Sequence, residues 1–347
     1  MKLKCRNLNV LLLLGLLLTA TQVSAEEKTK EYNESWPASS MENLEIDNKF
    51  GEVKITNEGG SNVTIDVVVT VEAPNERRAD ELLEQINVEF RKNGNTVKAE
   101  TVIDSDFKSR NEFSIDYLVN IPSDKNLDIS NKYGNTIVNV LNANGTFDIK
   151  YGNLTANELN TPANGSMEVV LGYGKADISL SNDINVNVSY STMNFGGTDD
   201  LVLESKYTVI NLGEASTVQA DSKYDTFNFE EIESLTARTK YTHIKIDELA
   251  RSLDVDAGYG GIRVNEVGDN FESINITNSY GEVALGLDDL SYSLDAECDY
   301  CGVSFPEDNF AGDRMKENHT QKVEGKVGTG NGGTVVVKSR YGQIKLR

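Results

Sequence analysis

The sequence predicts an all-β protein, most of which is a single-stranded β-helix-like solenoid of about twelve coils with a small α+β N-terminal cap inserted after the first coil. Two observations predict this fold. A short phrase, an aromatic residue followed by a small or polar one, recurs twelve times, and apolar residues alternate with polar ones on both sides of it. Repeats of this length are typical of solenoids, in which each coil buries its apolar face against its neighbours.

The spacing of the aromatic residues sets the length of a coil. From Tyr173 to Tyr241 they lie 17 residues apart four times in succession, and most other neighbouring copies lie 18 to 22 residues apart. An insertion separates Phe50 from Tyr133, and the 41 residues from Tyr300 to Tyr341 would fit two coils with one degenerate or looped out. The twelve aromatic residues are Phe50, Tyr133, Tyr151, Tyr173, Tyr190, Tyr207, Tyr224, Tyr241, Tyr259, Tyr280, Tyr300 and Tyr341.

Each coil is predicted to contain two short strands joined at a corner. Around Tyr207, Leu201 and Leu203 precede the ring and Ile210 and Leu212 follow it, so each side alternates with the period of a half-buried strand. The parity of this alternation shifts across the aromatic residue, which places a turn there. Because Gly follows the aromatic in seven copies, we expect a corner at which several of these glycines adopt positive φ.

The domain boundaries follow from where this pattern starts and stops. Residues 1–25 are predicted to be a signal peptide, residues 26–42 an N-terminal linker, residues 43–126 the first coil plus an α+β capping module, and residues 127–347 the β-solenoid repeat domain. The insertion alternates like strands and contains an amphipathic helix that begins after Pro74-Asn75. Because solenoid ends expose strand edges, we interpret the module as a cap, with a ligand-binding domain as the alternative.

The leader and the charge predict an exported acidic protein. Lys2, Lys4 and Arg6 precede an apolar run that is short for a membrane span, and Val23-Ser24-Ala25 suits signal-peptide cleavage. The formal net charge is −22, and the leader carries three cations and no anion, which leaves −25 on the remainder. We therefore expect a periplasmic, extracellular or cell-surface protein with no transmembrane segment in the mature chain, and no nucleic acid as partner.

Cysteine chemistry is confined to Cys298 and Cys301, since Cys5 lies in the leader. A local disulfide across the corner is the favoured interpretation in an oxidising compartment. A redox Cys-x-x-Cys lacks the helix-start context that lowers a thiol pKa, and a zinc site lacks two further ligands. We predict no cofactor, metal or catalytic residue, because His243 and His319 have no sequence neighbours that suggest a triad.

The chain resembles the bacterial putative-adhesin family, a secreted β-strand-repeat domain of unknown function related to the head domain of auto-transporter adhesins. The resemblance rests on the leader, the strand–helix–strand opening, the strand ending in Val119-Asn-Ile-Pro122, the serial corner phrases and the closing segment from Gly332 to Leu346. It covers nearly all of the mature chain, which departs from the family by its Tyr at the corner and its larger number of coils. The resemblance implies adhesion by fold analogy only.

A column of aromatic rings down one edge is the candidate site. The structural interpretation is that the rings stack and fill the corner; the functional one is that they bind sugar rings or a peptide beside neighbouring lysines. The candidate binding edge comprises Tyr190, Tyr207, Tyr224, Tyr241, Tyr259 and Tyr280.

The sequence thus predicts a non-enzymatic, envelope-associated or secreted binding scaffold of the adhesin type. Its partner is unidentified, with a surface glycan or an envelope or host protein as the classes that an aromatic edge suits. A β-helical polysaccharide-active enzyme and a periplasmic structural or stress-related factor with a protein partner are the alternatives.

Overall fold

The computed structural model describes residues 26–347, and the predicted signal peptide lies outside them. The described residues form 27 strands joined into one continuous sheet, together with a single α-helix. Short 3-10 helices span Ala38–Ser40 and Glu307–Asn309. The predicted all-β solenoid is confirmed.

The central turns stack in parallel, each with one strand before its aromatic corner and one after it. We call the surface built by the preceding strands the first face and that built by the following strands the second face. The strands are β8 (Asn126–Lys132), β9 (Thr136–Leu141), β10 (Gly145–Lys150), β11 (Asn153–Leu159), β12 (Met167–Gly172), β13 (Lys175–Ser181), β14 (Asp183–Ser189), β15 (Thr192–Lys206), β16 (Val209–Lys223), β17 (Thr226–Lys240), β18 (His243–Gly258), β19 (Ile262–Val267), β20 (Ser273–Ser279) and β21 (Val283–Leu285).

Strands β15 to β18 each run through a second corner, opposite the aromatic one, and so belong to both faces. In β15, residues up to Gly197 pair with β13 on the second face, and residues from Asp200 pair with β14 on the first. The register between neighbouring turns places like positions side by side, for example Leu201 beside Val218 and Val218 beside Leu235. The inward residues therefore form buried columns that fill the space between the faces.

The 17-residue units also compensate for one another in volume. The inward residue four positions before the ring is only alanine at Ala220 and Ala237, and the second face there carries Phe227 and Phe229, whose ring centroids are 5.2 Å apart. Both phenylalanines are buried, as a core of constant density requires.

The first turn and the insertion form the N-terminal end. The first turn comprises β2 (Asn43–Lys49) and β3 (Val53–Thr56); the insertion comprises β4 (Asn62–Ala73), α1 (Glu76–Glu84), β5 (Ile86–Asn93), β6 (Thr96–Ile103) and β7 (Phe113–Asn120). Strand β6 pairs in parallel with β2, and β7 pairs in parallel with β3, so the insertion extends both faces outward. Asn75 caps the start of helix α1, because its side chain accepts a hydrogen bond from Arg78 N, and the helix buries Ala79, Leu82 and Leu83.

The prediction of a linker over residues 26–42 is wrong for most of its length. Strand β1 (Glu26–Pro37) pairs antiparallel with β4 along all twelve of its residues. Its sequence, rich in Glu and Lys, lacks the apolar alternation that marks the other strands, because β1 lies at the sheet edge and neither side of it is fully buried.

The C-terminal end departs from sequence order. Strands β26 (Thr334–Arg340) and β27 (Ile344–Leu346), which flank Tyr341, lie between the Tyr280 turn and the strands β22 (Tyr292–Asp299) and β23 (Val303–Ser304) that flank Tyr300. The intervening residues form the hairpin β24 (Phe310–Glu317) and β25 (Thr320–Val327), which extends the first face antiparallel to β22. Most of the segment between Tyr300 and Tyr341 is therefore looped out as this hairpin, and it does not form a degenerate coil.

About nine turns follow one another directly along the chain, those marked by Tyr133 through Tyr280. The predicted twelve coils are therefore an approximate count. The remaining three aromatic phrases, at Phe50, Tyr300 and Tyr341, lie in the end layers, where the insertion and the exchanged order interrupt the succession.

A candidate binding edge built from stacked aromatic rings

The twelve repeat aromatics form one continuous stack down the aromatic corner, which we call the aromatic ladder. Neighbouring ring centroids lie 4.7 to 5.1 Å apart, and the planes of neighbours differ by at most 21°. In spatial order Tyr341 lies between Tyr280 and Tyr300. The structure thus brings together all six tyrosines of the predicted edge, Tyr190, Tyr207, Tyr224, Tyr241, Tyr259 and Tyr280.

Two further rings extend the stack at its ends, and neither was predicted. Phe113, in β7, lies against Phe50 with a centroid separation of 5.0 Å, and His319, in the turn between β24 and β25, stacks on Tyr300 at 4.6 Å. Both belong to segments outside the repeat. The repeated sequence phrase therefore could not identify Phe113 and His319. The pairing of β7 with β3 and of β25 with β22 places them on the ladder.

Every ladder residue adopts positive φ, between 53° and 64°. This is unusual for a bulky side chain, and it corrects the expectation that the following glycines would adopt this conformation. Those glycines are required for a different reason. A Cβ on Gly281 would lie 1.8 Å from the carbonyl oxygen of Gly260, and one on Gly134 would lie 1.8 Å from that of Gly51. The backbones of successive turns pack too closely there for any side chain.

Where the residue after the ring is not glycine, its side chain points into the corner and is buried. Ser191, Thr208, Asp225 and Thr242 occupy this position in the central turns. Asp225 accepts hydrogen bonds from Thr208 N and from the hydroxyls of Ser205 and Ser222, at 2.6 to 2.8 Å. This network satisfies a carboxylate that would otherwise be costly to bury, and it anchors the corner under Tyr207 and Tyr224.

In several turns a lysine before the ring covers part of it, although Tyr190 after Ser189 and Tyr151 after Lys150 are both 47% exposed. Where the preceding residue is lysine, as before Tyr207 and Tyr241, the rings are 43% and 44% exposed; where it is Gly258 or Ser279, Tyr259 and Tyr280 are 50% and 52% exposed. The ammonium Nζ of Lys206 lies 5.4 Å from the centroid of Tyr207, so the lysine stem lies along the ring. The ladder is therefore a half-exposed apolar strip, and a cation precedes the ring in seven of its twelve turns.

At Tyr259 a groove lies on each side of the ladder. One groove of about 430 Å³ is lined by His243, Lys245, Gly261 and Arg263, and another of about 530 Å³ is lined by Lys223, Arg238, Lys240 and Gly258. A Cβ on Gly258 would meet no atom within 4 Å. Packing therefore does not require glycine at this position, in contrast to Gly260, where a Cβ would lie 1.8 Å from the Thr242 carbonyl oxygen.

The two cysteines lie at the Tyr300 corner. The structure joins Cys298 to Cys301, with their Cα atoms 5.3 Å apart. Cys298 occupies the buried position two residues before the ring, and Cys301 takes the place of the corner glycine. The bond closes the outermost corner of the stack.

The two histidines occupy positions that suit packing and hydrogen bonding. Nδ1 of His243 accepts a hydrogen bond from the backbone N–H of Gly261 at 3.2 Å, and His319 is part of the ring stack.

Within residues 26–347, no three His, Cys, Asp or Glu side chains are grouped so as to hold a metal ion. In the same part of the chain, no helix has the length and apolar character needed to cross a membrane.

Several solved structures are similar to the chain at low identity. One, described as a putative adhesin from Parabacteroides merdae, is 14% identical, with a TM-score of 0.39 and coverage of 74% of this chain and 96% of its own. Another, described as a putative adhesin from Bacteroides fragilis, is 14% identical, with a TM-score of 0.31 and coverage of 92% and 97%. A third, described as a putative lipid binding protein from Parabacteroides distasonis, is 12% identical, with a TM-score of 0.33 and coverage of 74% and 96%.

The family assignment rests on sequence. No curated protein matches the chain. The family model described as Toastrack DUF4097 matches residues 41–347, which is everything that follows the 3-10 helix at Ala38–Ser40. The chain therefore belongs to the Toastrack DUF4097 family.

Proposed function

We propose that this protein is an exported, non-enzymatic binding scaffold of the adhesin type, and that the aromatic ladder is the edge with which it binds. The ligand class that suits the edge is extended: a surface glycan, or a segment of an envelope or host protein. The single observation that supports the proposal most strongly is the unbroken stack of half-exposed rings.

The size of the exposed apolar strip supports a binding role. The ladder tyrosines are each 42% to 52% exposed. With a total area of about 200 Å² per ring, eleven tyrosines leave on the order of 1,000 Å² of aromatic surface in contact with water. Monomeric soluble proteins rarely expose contiguous apolar patches larger than about 300–600 Å², and larger ones mark interaction sites.

The stack is also preorganised for a ligand. Left-handed backbone costs an L-residue about 1–2 kcal/mol, and each stacked pair returns about 0.5–1.5 kcal/mol besides the area it buries. The rings hold one another in place, so a ligand that lies on the ladder immobilises few additional side chains. Low ordering cost raises affinity for a given contact area.

The test is a binding screen of the purified protein against glycans and host-matrix proteins. It is repeated with Tyr207, Tyr224 and Tyr241 all changed to Ser, and with Val202, Gln219 and Thr236 all changed to Ser. The second variant alters exposed residues of the first face in the same turns, away from the ladder. We expect a ligand that the wild type and the control bind and the tyrosine variant does not.

Two outcomes would contradict the proposal. Folded wild-type protein that binds nothing on the screen would argue against adhesion, and equal binding by all three proteins would remove the ladder from the interaction. Turnover of a glycan, abolished by changing carboxylates without unfolding the protein, would instead establish the enzymatic alternative.

A further inference from the structure

The aromatic ladder has a row of cations along one side. The residues that precede the rings stack in register on the first face, and two blocks of three are consecutive lysines: Lys49, Lys132 and Lys150, then Lys206, Lys223 and Lys240. Like charges on neighbouring strands repel one another. In a protein of net charge −22, with ample carboxylates available to separate them, this arrangement calls for an explanation.

In the described part of the chain, the lysines of the second block form no ion pair. No carboxylate of residues 26–347 lies within 4.0 Å of the Nζ atoms of Lys206, Lys223 or Lys240, whereas Lys150, Lys175 and Lys245 each have an aspartate partner at 2.8 to 2.9 Å. Glu204 and Asp221 lie two residues before Lys206 and Lys223, outside ion-pair range. Lys206 instead turns toward the ladder, with Nζ 5.4 Å from the Tyr207 ring.

Although Glu204 and Asp221 lie on the first face near the lysines, many acidic residues of the same turns lie at the opposite corner. There Glu214, Glu231, Glu248 and Glu266 are register neighbours on successive strands, and all four are exposed. Asp199 and Glu233 lie at the same corner. The central turns therefore have lysines without an ion-pair partner at the aromatic edge and clustered carboxylates at the opposite edge, an arrangement that favours anions at the ladder.

The other side of the ladder in these turns offers hydrogen-bonding groups with little charge. Thr192, Val209 and Thr226 stand two residues after their rings, and the side chains of Asn194, Asn211 and Asn228 form an amide row with hydrogen bonds of 2.7 and 2.9 Å. The Tyr207 and Tyr224 turns thus repeat the same three elements across the edge: a lysine, a ring and an asparagine. A repeating surface suits a polymer whose unit repeats, in contrast to a peptide of varied side chains.

We infer that the edge binds an anionic glycan, a linear polysaccharide with acid groups on repeating units, whose sugar rings lie on the tyrosines while the acid groups pair with Lys206, Lys223 and Lys240. The inference rests on the proposed function and names its ligand class. Charge complementarity selects the anion, and the regular repeat of the rungs favours a polysaccharide.

The test measures binding to polygalacturonate and to the same polymer after reduction of its carboxyl groups, which removes the charge and keeps the sugar backbone. Poly-glutamate and vesicles containing an anionic lipid are measured in parallel. The variants are Lys206, Lys223 and Lys240 all changed to Gln, and, as a control of equal charge change, Arg77, Lys108 and Lys326 all changed to Gln. These control cations are exposed and lie outside the edge. Circular dichroism verifies that each variant is folded.

We expect the wild type to bind polygalacturonate and to lose about tenfold or more of its affinity between about 50 mM and about 500 mM NaCl, because salt screens exposed charges. The lysine variant should lose about tenfold or more at low salt, and the control variant less than about threefold. The reduced polymer should bind more weakly to the wild type and equally to all three proteins.

Three results would overturn the inference. The first is that the protein does not bind polygalacturonate, and the second is that it binds the charged and reduced polymers equally. The third is that it binds poly-glutamate or the vesicles more tightly than polygalacturonate. Tyrosine-dependent binding to a neutral glycan or to a protein in the screen above would then leave the proposed function standing without this ligand class. Loss of the tyrosine dependence would reject the proposed function itself.

Discussion

Replacement of Tyr224 by Ala and by Gly should separate the two opposing contributions of a ladder residue to stability. Tyr224 stacks on Tyr207 and on Tyr241, each with a centroid separation of 4.8 Å, and has a φ of 64°. Either substitution removes two stacked pairs, at a cost of about 1–3 kcal/mol in the free energy of unfolding. Alanine keeps the strained backbone, while glycine relieves it.

The glycine variant should therefore be the more stable of the two. Relief of about 1–2 kcal/mol of left-handed strain exceeds the added chain entropy of about 0.5–1 kcal/mol that glycine brings to the unfolded state. Urea unfolding followed by circular dichroism, with unchanged m-values, should place the Gly variant about 0.5–1 kcal/mol above the Ala variant.

The same pair of substitutions at Thr236 provides the control, because this exposed residue lies inside β17 with ordinary strand geometry. There glycine should be the less stable by about 0.5–1 kcal/mol. An alanine variant of Tyr224 that equals or exceeds the glycine variant would refute the left-handed conformation of the ladder residues.

Three further predictions follow from the corners, the charges and the strand order. Gly281→Ala should cost about 3 kcal/mol or prevent folding, because its Cβ would lie 1.8 Å from a carbonyl oxygen, whereas Gly258→Ala should change stability by less than about 0.5 kcal/mol; thermal unfolding compares them, and equal effects would contradict the close backbone approach. Asp128 is exposed, but partial desolvation by neighbouring atoms, and then the nearby Asp148 carboxylate, raise its pKa above the ordinary value, so the folded state disfavours its charged form. Asp128→Asn should therefore raise stability at neutral pH by up to about 1 kcal/mol, and the gain should vanish as the pH falls below the ordinary Asp value; a gain that persists in acid would point to a cause other than charge. Cysteines at Thr277 and Lys338, which are register partners, should form a disulfide under mild oxidation, and cysteines at Thr277 and Glu297, two layers apart at about 9–10 Å, should not; the reverse result would restore sequence order at the C-terminal end.

The repeat was predictable because position in each coil determines burial. Leu201, Leu203, Ile210 and Leu212 are all inward and buried, as their alternation around Tyr207 predicts. The stacking of Tyr207 and its neighbours follows from the same argument, since parallel turns in register must align equivalent residues about 4.8 Å apart.

The ends were harder to predict, because pairing there depends on which strand edge is vacant. The alternation around Tyr341 predicts a coil. It does not predict that this coil lies between the Tyr280 and Tyr300 layers. Strand β1 was missed because an edge strand needs no buried face, and its charged residues are typical of a linker as well.

The conformation at the corner was assigned to the wrong residue for a physical reason. Glycine is the usual residue at positive φ, so Gly281 was a better sequence candidate than Tyr280. The distance from Gly281 to the Gly260 carbonyl, which only the stacked structure reveals, is what requires glycine there. Stacking along the whole edge then stabilises the left-handed tyrosines.

The most direct test of the central claim is the affinity of a ligand found in the screen for two ladder variants. One has Tyr207, Tyr224 and Tyr241 all changed to Phe, which keeps the rings, and the other has them all changed to Gly, which removes the rings and fits the backbone. At about 1 kcal/mol for each ring, the Gly variant should bind about 100-fold more weakly, and the Phe variant within about threefold of the wild type. Undiminished binding by a folded Gly variant would contradict the claim that the aromatic ladder is the binding edge.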